Sequence, residues 1–375
     1  MTYRALEEVS GLGPAAAKQL REAFVTTAEL LAVQNPTELI KNKILGEAKA
    51  KTLIRNARIL CGMHGFKSGL VVEEEMEASV RLTTGLERLD EQLFGGIESG
   101  SLVELYGPAR GGKTQWSAYL AVRSMLPENQ GGLAGKVLWI DTEDSFKPWT
   151  IRAIAMRFGL DPEVALGSIG RADIIDSGQI EDLFESIPSM CAKDGYKLVV
   201  IDSFSGLFRQ EYTGLQTLRI RQQDMNTRLN QMRRVCKATK AIFVYTNQVM
   251  AKISNYGGYD GAPIGGHIMS HASDYRFQVN IGKDDERHIK LKDNAGLPEF
   301  KVTTRLGWGG FYPDAKSKKE TAPDIIEKLK ASGKAGFIKA LIEVEEKASS
   351  KKTKAKMKKK KEVDAIEVEP EVEVT

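Results

Sequence analysis

The amino-acid sequence predicts an α/β protein whose core is a mainly parallel sheet with helices on both faces, preceded by a small all-α module. Two observations lead to this prediction. From residue 83 to about 314, apolar strand-like stretches alternate with helical ones, which is typical of strands joined by helical crossovers. Residues 1–63 contain only helical patterns. We therefore divide the chain into a helical module (1–63), a linker (64–82), the α/β core (83–314) and a charged tail (315–375).

The composition of the chain excludes several classes of protein. Of its 375 residues 42% are hydrophobic, which suffices for a sizeable core, and the formal charge of +4 is too small to indicate a partner. Cys61, Cys191 and Cys236 are scattered and odd in number, which suits a reducing cytosol and no disulfide framework. The first residues do not resemble a signal peptide, and no apolar run approaches the ~18 residues of a membrane span. We expect a soluble cytoplasmic protein without a membrane partner.

A glycine-rich turn between a predicted strand and a predicted helix is the main functional signal. Residues 107–114 read GPARGGKT and fit G-x-x-x-x-G-K-[ST], the loop whose backbone N–H groups surround a polyphosphate. We expect Lys113 to reach the β- and γ-phosphates of ATP and the Thr114 hydroxyl to ligate Mg²⁺. The residues predicted to bind the nucleotide here are Gly107, Pro108, Ala109, Arg110, Gly111, Gly112, Lys113, Thr114 and Gln115.

Three further strands of the core end in polar residues. Strand-like stretches lead into Glu143, Asp202 and Gln248, and ligands bind beyond the carboxyl ends of parallel strands. Asp202 follows an apolar strand and is predicted to hold Mg²⁺ with Thr114. Glu143 is placed to orient or deprotonate the attacking water, and Gln248 is an amide that senses the γ-phosphate. With Lys113, these side chains predict an ATPase site.

The N-terminal module contains a turn with two glycines. Gly11 and Gly13 precede Pro14, where a helix is predicted to begin, and such a turn exposes backbone N–H groups to a DNA phosphate. This arrangement resembles a helix-hairpin-helix DNA-binding unit, which would contact DNA without sequence specificity. An ordinary helical bundle with a solvated basic face is the alternative.

The order and spacing of the motifs resemble the RecA-type recombinases of archaea and eukaryotes, most closely the archaeal branch. The resemblance covers residues 1 to about 314, and the segments on which it depends are 82–90, 95–100, 107–115, 140–143, 201–203, 219–223, 246–249, 263–267 and 270–273. It implies a RecA-like ATPase core and a DNA-dependent ATPase. It also implies a helical homo-oligomer on single-stranded DNA that exchanges strands with double-stranded DNA, in a cytoplasmic, nucleoid-associated location.

The resemblance also implies two DNA-binding loops. The first follows the strand that ends at Asp202, and Arg209, Arg219 and Arg221 are expected to neutralise phosphates there. The second spans residues 249–264, in which Lys252 would bind phosphate and Tyr256 would stack between bases. A flexible loop with incidental tyrosines is the alternative for the second.

The remaining roles come from the same resemblance. His271 is expected to link the γ-phosphate state to the second DNA loop, and Asp293 and Pro298 to cap the ATP of a neighbouring subunit. In the linker, Phe66 is expected to dock one subunit on the next. Packing of Phe66 on its own domain is the alternative.

Several positions depart from the family pattern and leave a second function open. Ala109, Thr150, Leu215 and Gly69 replace residues that the family uses for subunit packing, adenine stacking, a phosphate contact and docking. The leading hypothesis is an ATP-dependent strand-exchange recombinase. The alternative is a paralogue that binds ATP and DNA without long filaments and acts as a mediator for another recombinase. A RecA-type ATPase outside recombination, such as a helicase, is disfavoured by the N-terminal module.

The tail consists of blocks of like charge. Residues 347–361 are rich in lysine and contain no acid, whereas residues 362–375 contain acids and no base. Such blocks are typical of disordered interaction tails. The basic block would hold DNA; a purely solubilising role is the alternative.

Overall fold

The computed structural model describes residues 3–174, 177–209, 218–249 and 272–318. The N-terminal module begins with a short 3₁₀ turn and continues with four helices: α1 (Pro14–Glu22), α2 (Ala28–Ala32), α3 (Pro36–Lys41) and α4 (Glu47–Leu60). Proline at the first position of α1 and α3 and side-chain caps from Thr27 and Asn35 explain where three of these helices begin. A small apolar core closes the module.

The linker leads into the core through a helix that buries none of its residues. Helix α5 (Gly69–Glu77) is capped by the Ser68 hydroxyl, and it precedes a two-stranded antiparallel sheet, β1 (Arg81–Leu82) with β2 (Ile97–Glu98). Between these strands lies the short helix α6 (Glu87–Gln92).

The α/β core follows, and its strands and helices alternate up to residue 248, as the sequence predicts. In chain order they are β3 (Leu102–Gly107), α7 (Lys113–Met125), β4 (Lys136–Asp141), α8 (Pro148–Arg157), α9 (Pro162–Gly167), β5 (Ile169–Asp173), α10 (Ser177–Lys193), β6 (Tyr196–Asp202), α11 (Phe204–Arg209), α12 (Leu218–Thr239), β7 (Ile242–Gln248), β8 (Tyr275–Ile281), β9 (Glu286–Asp293), β10 (Phe300–Gly307) and β11 (Gly310–Tyr312). Residues 275–312 instead form four successive strands with no helix between them, so the expected alternation over the whole of 83–314 is wrong there. No helix in the described part of the chain has both the length and the apolar character that crossing a membrane requires.

The main sheet has the strand order β11-β10-β9-β8-β3-β7-β6-β4-β5. The pairings from β8 through β5 are parallel, and those from β8 to β11 are antiparallel. Two apolar layers pack on opposite faces of this sheet, so the predicted sheet with helices on both faces is confirmed. Because β3, β4, β6 and β7 are parallel, their carboxyl ends lie along one edge.

The N-terminal module packs on helix α12 of the core. Ala238 belongs to the apolar cluster of the module, and the Tyr3 hydroxyl donates to Thr239 O at 2.7 Å. Arg234 donates through Nη2 to both oxygens of Glu38, at 2.9 and 3.1 Å. These contacts fix the module relative to the sheet.

Candidate active site

The turn between β3 and α7 has the backbone that a phosphate loop requires. Gly112, which precedes the first residue of α7, has φ 109°, a left-handed conformation that favours glycine. A Cβ at Gly111 would come within 2.8 Å of Val279 O on β8, so the loop lies directly against that strand. The chain thus closes into a tight concave turn at the N-terminus of a helix of 13 residues.

Lys113 is almost buried at the centre of this turn. Its ammonium group donates to Gly107 O at 3.0 Å and to Pro108 O at 2.9 Å. Burial lowers its pKa, and the nearby Asp202 and Glu143 carboxylates oppose that shift. The positive charge therefore lies inside the loop, within electrostatic reach of both acids.

Asp202 is buried at the end of β6, and its carboxylate accepts hydrogen bonds from hydroxyl groups on several elements. Thr246 Oγ1 on β7 donates to Asp202 Oδ1 at 2.5 Å, and Ser145 Oγ donates to Oδ2 at 2.7 Å. The Thr114 hydroxyl is also a hydrogen-bonding neighbour. Burial raises the pKa of Asp202, and these hydroxyl donors partly oppose the shift. Hard oxygen donors therefore converge at this point, which is the donor set that Mg²⁺ prefers.

Glu143 lies two residues beyond the end of β4 and is exposed. Its Oε1 accepts from Ser203 Oγ at 2.7 Å and from Gln248 Nε2 at 3.1 Å. Thr142 exchanges two hydrogen bonds with the backbone of Ser203, which joins the ends of β4 and β6. The structure thus brings Glu143 and Gln248 into contact at the same sheet edge as Lys113 and Asp202.

Sequence reasoning missed the residues that shape the turn around Glu143. Asp141 is buried and accepts from the backbone N–H groups of Glu143, Ser145 and Phe146 at 3.0 to 3.3 Å. The Arg171 guanidinium on β5 lies 3.2 Å from the Asp141 carboxylate. The acid at the strand end was visible in the sequence, but its arginine partner was not, because the two come from different strands.

The other predicted nucleotide contacts are on the surface of the loop or farther along the sheet. Ala109, Arg110 and Gln115 are exposed, and Pro108 is half-buried. Asp293, at the end of β9, and Pro298 are both exposed, and Asp293 Oδ2 lies 4.0 Å from Arg276 Nη1. The structure does not bring these two residues into contact with Lys113 or Glu143 within one chain.

The predicted DNA and oligomer contacts are only partly within the described residues. Arg209 is the last residue of α11, and Arg219 and Arg221 lie in the first turn of α12, exposed and half-buried respectively. Lys252, Tyr256 and His271 lie outside the described residues, as do Leu215 and the tail from residue 319.

The turn in the N-terminal module lies at the surface. Gly11 is exposed and has φ 81°, and Gly13 precedes the first residue of α1, whose N-terminus has no side-chain cap. Phe66 in the linker is 107% exposed, so it does not pack on the described part of its own chain. Thr150 is half-buried on α8.

Comparison with known proteins identifies the family. The Rad51 family profile matches residues 75–312, well over half of the chain. The chain belongs to the Rad51 family. A second profile, the SAM-like helix-hairpin-helix tandem, matches residues 3–58, which confirms the predicted N-terminal domain ahead of the Rad51 core.

Two curated relatives match most of the chain. The "DNA repair and recombination protein RadA" of Metallosphaera sedula is 35% identical over 300 residues, which is 80% of this chain and 92% of the relative. The protein of the same name from Methanocorpusculum labreanum is 34% identical over 328 residues, 84% of this chain and 100% of the relative. The resemblance to RecA-type recombinases, and within them to archaeal RadA, is confirmed.

Proposed function

We propose that this protein is an ATP-dependent DNA strand-exchange recombinase that forms helical filaments on single-stranded DNA in homologous recombination and DNA repair. The main support is the meeting of Lys113, Asp202 and Glu143 at one sheet edge of a Rad51-family chain. The names of its two relatives, both recombination proteins, give independent support. They do not favour the mediator hypothesis.

The residues at the sheet edge fit ATP and Mg²⁺. The glycine turn is concave and begins a helix, the Lys113 ammonium points into it, and the hydroxyl and carboxylate of Thr114 and Asp202 are adjacent. Bound ATP with Mg²⁺ would supply the transferable phosphoryl group and neutralise its negative charge. Gly107, Pro108, Ala109, Arg110, Gly111, Gly112 and Gln115 complete the proposed nucleotide contacts.

The side chains around Glu143 are suited to activating water. Its Oε2, which has only a long contact of 3.5 Å from Gln248 Nε2, would accept a proton from a water while Oε1 is held by Ser203 and Gln248. Gln248 lies at the end of β7 and contacts Glu143 directly, so a change at Gln248 alters the orientation of the carboxylate. Lys113 places its positive charge beside the reacting phosphate. These roles make the protein a DNA-dependent ATPase that forms ADP and phosphate.

DNA contacts are proposed on two regions. The first comprises the arginines at the end of α11 and the start of α12, Arg209, Arg219 and Arg221, together with Lys252, Tyr256 and the coupling residue His271. The second is the turn at Gly11 and Gly13, where the N-terminus of α1 has no side-chain cap and its N–H groups remain suited to a phosphate.

Self-assembly is proposed through Phe66. A fully exposed phenylalanine in a linker loses its unfavourable hydration when it enters a pocket of a second copy. Asp293 and Pro298 are exposed at the far end of β9, where they are suited to cover a neighbour's nucleotide.

The proposed function is tested by ATP hydrolysis and joint-molecule formation with the full chain. We expect Mg²⁺-dependent hydrolysis that single-stranded DNA stimulates, and pairing of a single strand with a homologous duplex in the presence of ATP. A hydrolysis rate that single-stranded DNA does not change, with no joint molecules at any protein concentration, would contradict the proposal.

A further inference from the structure

A buried ion pair at the centre of the main sheet has no part in the site described above. Glu104 on β3 is fully buried, and its Oε2 accepts from Arg276 Nε on β8 at 2.6 Å. Its Oε1 accepts from Asn247 Nδ2 on β7 at 2.9 Å. All six residues of β3 are buried, so Glu104 lies in the interior of the core.

A buried ion pair contributes little net free energy to the stability of a sheet. Removing a carboxylate and a guanidinium from water costs several kcal/mol per ion, and well-packed apolar residues of similar volume are often as stable or more stable. Arg276 recovers part of this cost by lying over the Tyr106 ring, 5.3 Å from its centroid. A role in holding specific strands in one relative position accounts for the pair better than stability alone.

The strands that Glu104 joins are the ones next to the phosphate loop. β3 ends in that loop, and β7 and β8 are its two neighbours in the sheet, both parallel to it. Asn247 immediately precedes Gln248, whose amide contacts Glu143. Arg276 pairs in register with Asp293 across β8 and β9. One carboxylate therefore holds the strand of the phosphate loop, the strand of the sensor amide and the strand next to Asp293.

The same strands border the part of the chain that the proposed function assigns to DNA. Residues 250–271 follow β7 and precede β8 in the sequence, so Asn247 and Arg276 lie on its two flanking strands. The hydrogen bonds of Glu104 join β3 to β7 through Asn247 and β3 to β8 through Arg276. A force on the segment that moves β7 relative to β8 therefore strains these hydrogen bonds. Any such shift moves Gln248 relative to the phosphate loop.

We propose that Glu104 is a positioning residue that transmits DNA binding to the ATPase site by holding β7 and β8 to the strand of the phosphate loop. The proposal rests on the proposed function, since it concerns how single-stranded DNA stimulates hydrolysis at the same site. Glu104 touches neither Lys113 nor Glu143, so hydrolysis without DNA does not depend on it directly.

The test replaces the pair by apolar residues and measures coupling. Glu104→Gln alone leaves a buried arginine without its counter-ion and is prone to misfold. The double variant Glu104→Leu/Arg276→Met removes both charges and retains volume. The matched control is Arg81→Met/Glu98→Leu, which removes a partly exposed pair in the small sheet, 3.6 Å between Nη2 and Oε2.

Two quantities are measured for each full-length protein: the ATPase rate with and without single-stranded DNA, and the affinity for a fluorescent ATP analogue with and without DNA. In the Glu104/Arg276 double variant we expect a DNA-free rate within about twofold of the unaltered protein and a DNA stimulation reduced about two- to thirtyfold, the range found for residues within coupling networks. The mutual effect of ATP and DNA on affinity should fall as well, because linkage is reciprocal. The control should retain both effects.

The outcomes separate this inference from the function on which it rests. If the unaltered protein responds to DNA and the double variant responds equally, Glu104 has no coupling role and the inference alone fails. Loss of hydrolysis both with and without DNA in a folded double variant also overturns it, since Glu104 would then support the site in general. An unaltered protein that DNA does not stimulate refutes the proposed function and the inference with it.

Discussion

Replacing Glu143 by glutamine changes one carboxylate oxygen to an amide nitrogen and leaves the rest of the site in place. In the structure Oε1 of Glu143 accepts from Ser203 Oγ at 2.7 Å and from Gln248 Nε2 at 3.1 Å. A glutamine oxygen accepts the same two hydrogen bonds. The side chain is exposed, so the free energy of unfolding should change by less than about 0.5 kcal/mol. What is lost is the ability of the other oxygen to take a proton from water.

The size of the effect follows from that loss. A positioned general base contributes about 10²- to 10⁴-fold to a rate, which corresponds to about 2.7 to 5.4 kcal/mol in the barrier. We therefore expect hydrolysis in the presence of single-stranded DNA to fall by that factor. Nucleotide affinity should change little, because Lys113 and the phosphate loop do not depend on the Glu143 charge for their geometry.

The assay is single-turnover hydrolysis of ATP with saturating DNA, combined with binding of a fluorescent ATP analogue. Asp144→Asn is the matched control, because it neutralises the next carboxylate along the chain. The Asp144 side chain is 84% exposed and contacts Arg171 instead of Gln248. The control should hydrolyse ATP within about twofold of the unaltered protein, as surface substitutions usually do. A Glu143→Gln variant that retains more than about a tenth of the rate would refute the general-base role, which calls for a larger loss. Lost ATP binding in a folded variant would instead place Glu143 among the nucleotide-holding residues.

Three further predictions address assembly, nucleotide binding and the N-terminal module. Phe66→Ala should leave the unfolding temperature unchanged and reduce oligomer size in light scattering. The control, Phe94→Ala, removes another exposed phenylalanine (77%) and should leave oligomer size unchanged. Oligomers of equal size in both variants would exclude docking by Phe66. Lys113→Ala should abolish the thermal stabilisation that ATP gives, about 2.7 kcal/mol at a hundredfold excess over Kd; a normal ATP-induced shift would refute the phosphate-loop assignment. Burial raises the pKa of Tyr3 to about 12, so the folded state holds this proton more tightly and stability should fall as pH rises from about 10 to 12. Tyr3→Phe, which also loses the bond to Thr239 O, should flatten that part of the pH profile in thermal melts; an unchanged slope would contradict the assignment.

Most of the fold could be predicted because the spacing of apolar residues along the sequence changes where a strand gives way to a helix. Apolar stretches such as 197–202 and 241–246 stand between helical patterns, and they become β6 and β7 of the parallel part of the sheet. The antiparallel strands β9 to β11 were not predicted. In β9 and β10 buried residues are interspersed with half-buried and exposed ones, many of them charged, so the sequence there has no continuous apolar run. β11 is fully buried but has only three residues, too few to form a recognisable strand pattern.

Sequence alone could predict those residues of the candidate site that lie at the end of a recognisable strand. Glu143, Asp202 and Gln248 follow apolar stretches, and parallel strands bring such ends together. Pairs that join different strands were beyond reach. The sequence around Glu104 shows a polar residue in an alternating strand, which by itself indicates a solvent-facing position; only the packing of β7 and β8 on either side reveals that it is buried and paired.

Electron microscopy of the full chain with single-stranded DNA and a non-hydrolysable ATP analogue tests the central claim most directly. We expect long helical filaments that form with the analogue and Mg²⁺ and are lost when the analogue is omitted. They would show that Ala109 and Gly69 are compatible with assembly. Monomers or short oligomers that still bind DNA would contradict the recombinase function.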